Sequence, residues 1–158
     1  MIEIERKFLV TSNAFKDEAR SQTKIVQGFL NTDPERTVRV RLKGNQGFLT
    51  VKGKTTDNGL SRFEWETILN KEEAESLLKL SETEVVEKIR YEVEVGKHTF
   101  EIDVFLGVNK GLIIAEVELE QEDELFQKPF WLGEEVTGQV QYYNSQLSKH
   151  PFNTWNKT

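Results

Sequence analysis

The sequence predicts an α+β domain built on a closed or nearly closed antiparallel β-barrel, with a few short covering helices. Three observations predict it. Segments with two-residue periodicity dominate the chain, and about eight can be drawn. The turns between them are short, which favours antiparallel neighbours. Helical signals are few and brief. A β-sandwich is the competing architecture. Residues 1–158 read as a single domain, long enough to bury most of its surface. Hydrophobic residues make up 37% and charged residues 30%, lean for a sandwich but compatible with a fold that holds many charges inside.

The elements follow in order. The first strand covers 2–10, where Glu3, Glu5 and Lys7 alternate with Ile2, Ile4, Arg6 and Phe8. Same-face neighbours on a strand lie roughly 7 Å apart, so two carboxylates and an ammonium project together. Ser12 or Asn13 caps a helix over 13–20. Strands follow over 24–31, 37–43, 47–53 and 61–69, with Gly44-Asn45-Gln46-Gly47 as a hairpin turn. Asn70 followed by Glu73 has the form of a capping box opening a helix over 71–80. Strands over 85–95, 98–106 and 112–120 are joined through Gly96-Lys97 and Gly107 to Gly111. An acidic helical turn begins near Gln121, a last helix covers 139–148, and Phe152 and Trp155 dock an irregular tail.

Composition excludes several classes. The net charge of −6 argues against a general nucleic-acid-binding surface. With no cysteine there is no disulfide, thiolate catalysis or zinc–sulfur site. Two histidines, His98 and His150, do not make a histidine-rich metal site. No long apolar run marks a membrane helix or signal peptide, so no membrane partner and a cytoplasmic location are expected.

The charges segregate by face and by strand. Arg39, Arg41 and Lys43 oppose Val38, Val40 and Leu42, while Thr50, Lys52 and Lys54 oppose Leu49 and Val51. Arg62, Glu64 and Glu66 oppose Phe63 and Trp65. Lys88, Arg90, Glu92 and Glu94 share a face, as do Glu101 and Asp103, and then Glu116, Glu118 and Glu120. A charged face turned into a barrel makes a tunnel with cationic and acidic regions. Its apolar outer face then needs covering by helices or by a second subunit, which makes a homodimer one expectation. Two guanidinium groups about 7 Å apart repel by about 2 kcal/mol at an effective dielectric of about 20. A polyanion with a divalent metal satisfies both halves: Arg and Lys hold phosphate oxygens, and carboxylates hold the metal.

Read in order, these residues resemble the CYTH superfamily, also called triphosphate tunnel metalloenzymes. Glu3-Ile4-Glu5-Arg6-Lys7 is similar to the family's opening E-x-E-x-K signature. Gln27-Gly28-Phe29-Leu30, Arg39-Val40-Arg41, Thr50-Val51-Lys52-Gly53 and Arg62-Phe63-Glu64-Trp65-Glu66 follow. Lys88-Ile89-Arg90, Glu101-Ile102-Asp103, Glu116-Val117-Glu118, Val136-Thr137-Gly138 and Tyr143-Asn144-Ser145-Gln146-Leu147 complete the set. The resemblance implies an eight-stranded antiparallel tunnel that hydrolyses or cyclises triphosphates with Mg²⁺ or Mn²⁺. It implies Glu3, Glu5, Glu116 and Glu118 as metal ligands, and Lys7, Arg39, Arg41, Lys52, Lys88 and Arg90, with Arg62 as a weaker candidate, as phosphate binders. Glu5 and Lys7 then act at the reacting phosphate, where Glu64, Glu66 and Asp103 position metal, water or substrate.

Phe29 stands where short members often carry Tyr, so that hydroxyl is absent unless Tyr142 or Tyr143 supplies one. Gln139 stands where an acidic residue is common. Inorganic tripolyphosphate is the expected substrate. The alternatives are a class IV-type adenylate cyclase making cyclic AMP and pyrophosphate, a thiamine triphosphatase, and a non-catalytic polyphosphate- or nucleotide-binding module.

Overall fold

A computed structural model describes residues 1–155. The predicted strands all form: β1 (Ile2–Val10), β2 (Ser21–Asn31), β3 (Arg36–Lys43), β4 (Gln46–Thr55), β5 (Ser61–Leu69), β6 (Val86–Val95), β7 (His98–Phe105) and β8 (Ile113–Glu118). They pair antiparallel in the order β5-β4-β3-β2-β6-β7-β8-β1, and β1 closes the sheet on β5 through Ile2↔Phe63 and Ile4↔Ser61. That last pairing decides for the barrel over the sandwich.

A ninth strand, β9 (Leu132–Glu135), was not predicted and pairs with the far end of β1 through Phe8 and Val10. One edge of β1 is thus shared: its start belongs to β5 and its end to β9. Between them Lys7 donates its backbone N–H to the Thr137 hydroxyl at 2.9 Å. Arg6 points outward, as its alternation requires, and grips Glu135 with two hydrogen bonds of 2.8 and 2.6 Å.

With charges turned inward, the main apolar core lies outside the barrel wall. Phe8, Val93, Phe100, Ile102, Ala115 and Val117 from β1, β6, β7 and β8 pack against Phe15 and Trp131. Phe15 belongs to α1 (Phe15–Glu18), a single turn where a helix over 13–20 was expected; the chain becomes extended at Ala19. The turn near Gln121 forms one hydrogen-bonded turn without becoming a helix. His98 is buried beside Glu124 and Phe126.

The predicted capping box is present in α2 (Lys71–Leu78): Asn70 accepts from the Glu73 backbone at 2.8 Å and Glu73 accepts from the Asn70 backbone at 3.0 Å. This helix lies across β2, β3 and β4. Replacing Asn70 with Ala should cost about 1 kcal/mol, a fall of about 2–4 °C in Tm for a chain of this size, readable by thermal denaturation. The remaining sector, β5 with the start of β1, leaves Ile2, Phe63 and Trp65 exposed at 65%, 43% and 41%. Among the described residues no helix is long and apolar enough to cross a membrane.

The helix expected over 139–148 is broken. Val140–Tyr142 forms a 3₁₀ turn, Tyr143 is extended (φ −68°, ψ 137°), and α3 is only Asn144–Leu147. The break turns Tyr143 and Asn144 toward the barrel interior, while Leu147 enters an apolar plug of Val86, Phe105, Leu112 and Ile114. Tyr142, Phe152 and Trp155 close over that plug, so the tail docks as expected.

Candidate active site

The charged faces of the strands enclose a cavity of about 260 Å³. Every residue predicted for metal, phosphate or catalytic roles lines it except Asp103, which lies just behind the wall, paired to two lining cations. Register explains how the groups meet. Glu5 stands directly opposite Glu118, Lys7 opposite Glu116, and Glu116 in turn opposite Glu101. Across the barrel Lys52 stands opposite Glu64, and Arg90 opposite Asp103.

Like charges directly opposite on a sheet are destabilising, so the acidic wall calls for a cation. Some positive charge comes from the protein. Lys52 holds Glu3 at 3.0 Å and Glu64 at 3.2 Å, and Lys7 reaches Glu116 at 3.7 Å. Burial would raise the Glu3 carboxyl, but Lys52, a hydrogen bond with Glu64 and the Arg39 charge together outweigh it and bring Glu3 down to about 2. Glu5 and Glu118, by contrast, form no salt bridge among the described residues. Burial, then Glu116 and Glu3, pushes the Glu5 carboxyl well above its ordinary range. Burial and then Glu3 also raise Glu118.

A hard divalent cation fits this set, since Glu3, Glu5, Glu116 and Glu118 offer only carboxylate oxygens. Among the described residues, no three His, Asp or Glu side chains already converge in a metal-binding arrangement. Repulsion between Glu5 and its acidic neighbours, and capture of Glu3 and Glu116 by lysines, account for the spread. Metal binding would have to draw the carboxylates together.

The cationic wall is set for an anion. Arg39 and Arg41 reach the Glu66 carboxylate at 3.6 and 3.3 Å through their Nη2 atoms. Thr50, fully buried between them, donates to Glu66 at 2.6 Å and accepts from Arg39 at 3.2 Å. The Nε–H groups of both arginines are buried without a hydrogen-bond partner among the described residues. Buried donors left unpaired are costly, and a shift of either guanidinium toward an oxyanion in the cavity would pair them. Burial, reinforced by Arg39 and Arg90, lowers Arg41 to about 10.

Lys88 and Asp103 are each 2% exposed, joined at 2.8 Å. Asp103 also takes a two-pronged contact from Arg90 at 2.8 and 2.9 Å. Burial would raise the Asp103 carboxyl; Arg90 and then Lys88 hold it far below the ordinary carboxylate range. Burial lowers Lys88 to about 8 against the pull of Asp103. With its third nitrogen on Glu101 at 3.3 Å, Arg90 is the most fully engaged of the predicted phosphate binders. Arg62 donates to the Gly53 carbonyl at 3.0 Å and to Thr37 at 3.4 Å.

Strict alternation does not place every charge on the cavity. Lys54 shares a predicted face with Lys52, but the register between β4 and β5 slips between Lys52 and Thr55. The slip puts Thr55 on the cavity and turns Lys54 out to solvent, beside Glu35. Glu92 and Glu94 do not line the cavity either: Arg20 holds both, and Lys43, which does line it, reaches Glu92 at 3.8 Å.

Residues beyond those given metal, phosphate or catalytic roles also line the cavity: Phe29, Thr37, Ser61, Thr137, Tyr143, Asn144 and Ser145. Thr37 could have been found from its alternation with Arg39. Of the two tyrosines that could replace the missing hydroxyl, Tyr142 is in the plug, whereas Tyr143 lines the cavity with its ring 5.1 Å from the Lys7 Nζ. Gly59 and Gly138 let the β4–β5 hairpin close on the C-terminal segment. Both have positive φ, and a Cβ on Gly59 would come within 2.5 Å of the Gly138 Cα.

The chain resembles known proteins in sequence and in fold. The CYTH domain family profile matches residues 1–151. The chain is 44% identical over 151 residues to an inorganic triphosphatase of Acetivibrio thermocellus, covering 95% of both chains. It is 38% identical over 152 residues to an inorganic triphosphatase of Nitrosomonas europaea, covering 94% of this chain and 97% of the relative. A crystal structure of an inorganic triphosphatase superposes with a TM-score of 0.66 at 36% identity, over 92% of this chain and 97% of the other. Closed barrel, segregated lumen charges, matched family profile and near-full-length relatives agree: the chain belongs to the CYTH domain family.

Proposed function

We propose that this chain is a metal-dependent triphosphatase that hydrolyses inorganic tripolyphosphate, releasing orthophosphate, with Mg²⁺ or Mn²⁺ as the metal. The observation that carries this reading is one cavity that brings Arg39, Arg41, Lys52 and Lys88 together with an acidic wall whose Glu5 and Glu118 take no salt bridge among the described residues. The near-full-length relatives that bear the name inorganic triphosphatase support the substrate class.

Phosphoryl transfer asks mainly for positioning and charge neutralisation. Arg39 and Arg41, aligned by Glu66 and Thr50, hold phosphoryl oxygens on one side. Lys7, Lys52 and Lys88 hold them on the others. Asp103, already neutralised, acts through Lys88 and Arg90 rather than as a proton acceptor. The cationic groups stabilise the negative charge that grows on the departing diphosphate. Glu3, Glu5, Glu116 and Glu118 would hold the divalent metal, which supplies further charge neutralisation and water activation when bound. Glu64, raised by burial against the opposing pull of Lys52, is placed beside Glu3 to orient water or metal.

Purified protein given Mg²⁺ or Mn²⁺ should release orthophosphate from tripolyphosphate faster than from ATP or thiamine triphosphate. No release from neutral to alkaline pH would overturn the assignment. Cyclic AMP and pyrophosphate from ATP would replace it with a cyclase, and tight binding without turnover would replace it with a binding module.

A further inference from the structure

Asn144 opens α3, and Leu147 anchors that short helix in the apolar plug. The Asn144 carboxamide oxygen accepts two hydrogen bonds, from Lys88 Nζ at 2.9 Å and from Gln27 Nε2 at 3.0 Å. An ammonium can only donate, so the oxygen must face Lys88 and the NH₂ must face away from it. Among the described residues that NH₂ has no hydrogen-bond partner, and Asn144 lines the cavity. Gln27 is fully buried, and its own Oε1 has no partner among the described residues. The Asn144 oxygen therefore fixes both neighbours from one position.

The residue type matters as much as the place. Lys88 already has one carboxylate partner in Asp103 at 2.8 Å. A second carboxylate at position 144 would cancel the positive charge the cavity presents. A neutral carboxamide holds the ammonium and leaves its charge available, and it adds a donor to the same wall.

We propose that Asn144 is a substrate-contacting and positioning residue of the tunnel, its oxygen fixing the Lys88 ammonium and its NH₂ donating to a phosphoryl oxygen. This rests on the tripolyphosphate reading above. Asn144 then ties the closed end of the barrel, built by the C-terminal segment, to the cation that meets the phosphate chain.

The test measures binding apart from turnover: tripolyphosphate titrated into the protein by calorimetry without divalent metal, followed by kcat and KM with metal. Asn144→Asp keeps an acceptor for Lys88 and Gln27 but adds a carboxylate, so the side-chain amide signal of Asn144 in the ¹⁵N-labelled parent is followed beside it. A merely structural role predicts that this signal does not move when tripolyphosphate is added. The proposal predicts that it moves and that binding by the variant weakens about 10- to 100-fold, because an anionic oxygen replaces the donor, while Tm stays within a few degrees. Asn144→Leu should weaken binding about 10-fold and raise KM more than it lowers kcat. Binding by Asn144→Asp within threefold of the parent overturns the proposal while leaving the triphosphatase reading intact. Failure of the parent to bind tripolyphosphate overturns both. Should the variants not fold, the side-chain amide signal of Asn144 in the ¹⁵N-labelled parent provides the check. It should shift when tripolyphosphate is added, and a signal that does not move overturns the proposal.

Discussion

Replacing Glu5 with Gln should lower metal-dependent kcat/KM for tripolyphosphate about 10³-fold, or roughly 4 kcal/mol of transition-state stabilisation. The metal-free protein should stay at least as stable as the parent. Glu5 stands opposite Glu118 and next to Glu3 on the same face, and it forms no salt bridge among the described residues. Burial and its acidic neighbours Glu116 and Glu3 work against its charge, and Lys52 and Lys7 offset them only in part. Gln removes the charge at nearly constant volume, so the acidic wall loses repulsion while the metal loses a ligand. Opposite movement of the two readouts, activity falling and metal-free Tm holding or rising, is the distinguishing result. Full activity in Glu5→Gln would contradict the assignment of Glu5 to the metal.

Asp103→Asn should produce the largest loss of stability in the tunnel, about 3–5 kcal/mol, because it strands Lys88 and Arg90 in a buried site without their shared counter-charge. For a chain of this length that corresponds to a fall of roughly 10 °C in Tm. Activity should fall as well, since both cations lose the group that aims them. A Tm within about 2 °C of the parent would show that the lumen tolerates the two charges without Asp103. The acid limb of stability follows from the same group. The folded carboxyl lies below its unfolded value of about 3.9, so its stabilisation is fully present above that pH and is lost as pH falls through the folded pKa. Lys88 has the opposite consequence. Its folded value of about 8 lies below its ordinary 10.5, so the unfolded chain binds more protons between the two and stability gains from this group as pH rises through that window. Urea denaturation of the parent and of Asp103→Asn from acid to alkaline pH would separate the two contributions: the acid loss should shrink in the variant. Equal acid losses in both proteins would count against Asp103 as its source.

Much of the barrel was legible because its signal is local. A strand has a side-chain period of two, so Arg39-Val40-Arg41 or Glu116-Val117-Glu118 announces a charged face wherever the strand ends up. The Asn70–Glu73 box is likewise a matter of three residues' spacing, and it forms as expected. Arg6 and Lys7 were correctly separated onto opposite faces by that rule alone, and the structure puts Arg6 on Glu135 and Lys7 on Glu116.

Features that depend on distant partners did not show. Lys54 leaves the lumen because of a register slip against β5, and nothing in β4 announces the slip. Leu132–Glu135 becomes a strand only because β1 offers it a free edge. The helix expected over 139–148 breaks at Tyr143, and that break places Tyr143 beside Lys7 and Asn144 beside Lys88.

The sequence by itself determined that Glu3, Glu5 and Lys7 share a face, that like charges cluster by strand, and that antiparallel strands with an apolar outer face carry them. Only the tertiary structure decided which charges confront each other. Closure of β1 on β5 sets Lys52 against Glu3, and the β1–β8 register sets Glu5 against Glu118. The reason is physical: periodicity is a property of one strand, whereas register and closure come from hydrogen bonding and burial between strands far apart in the chain.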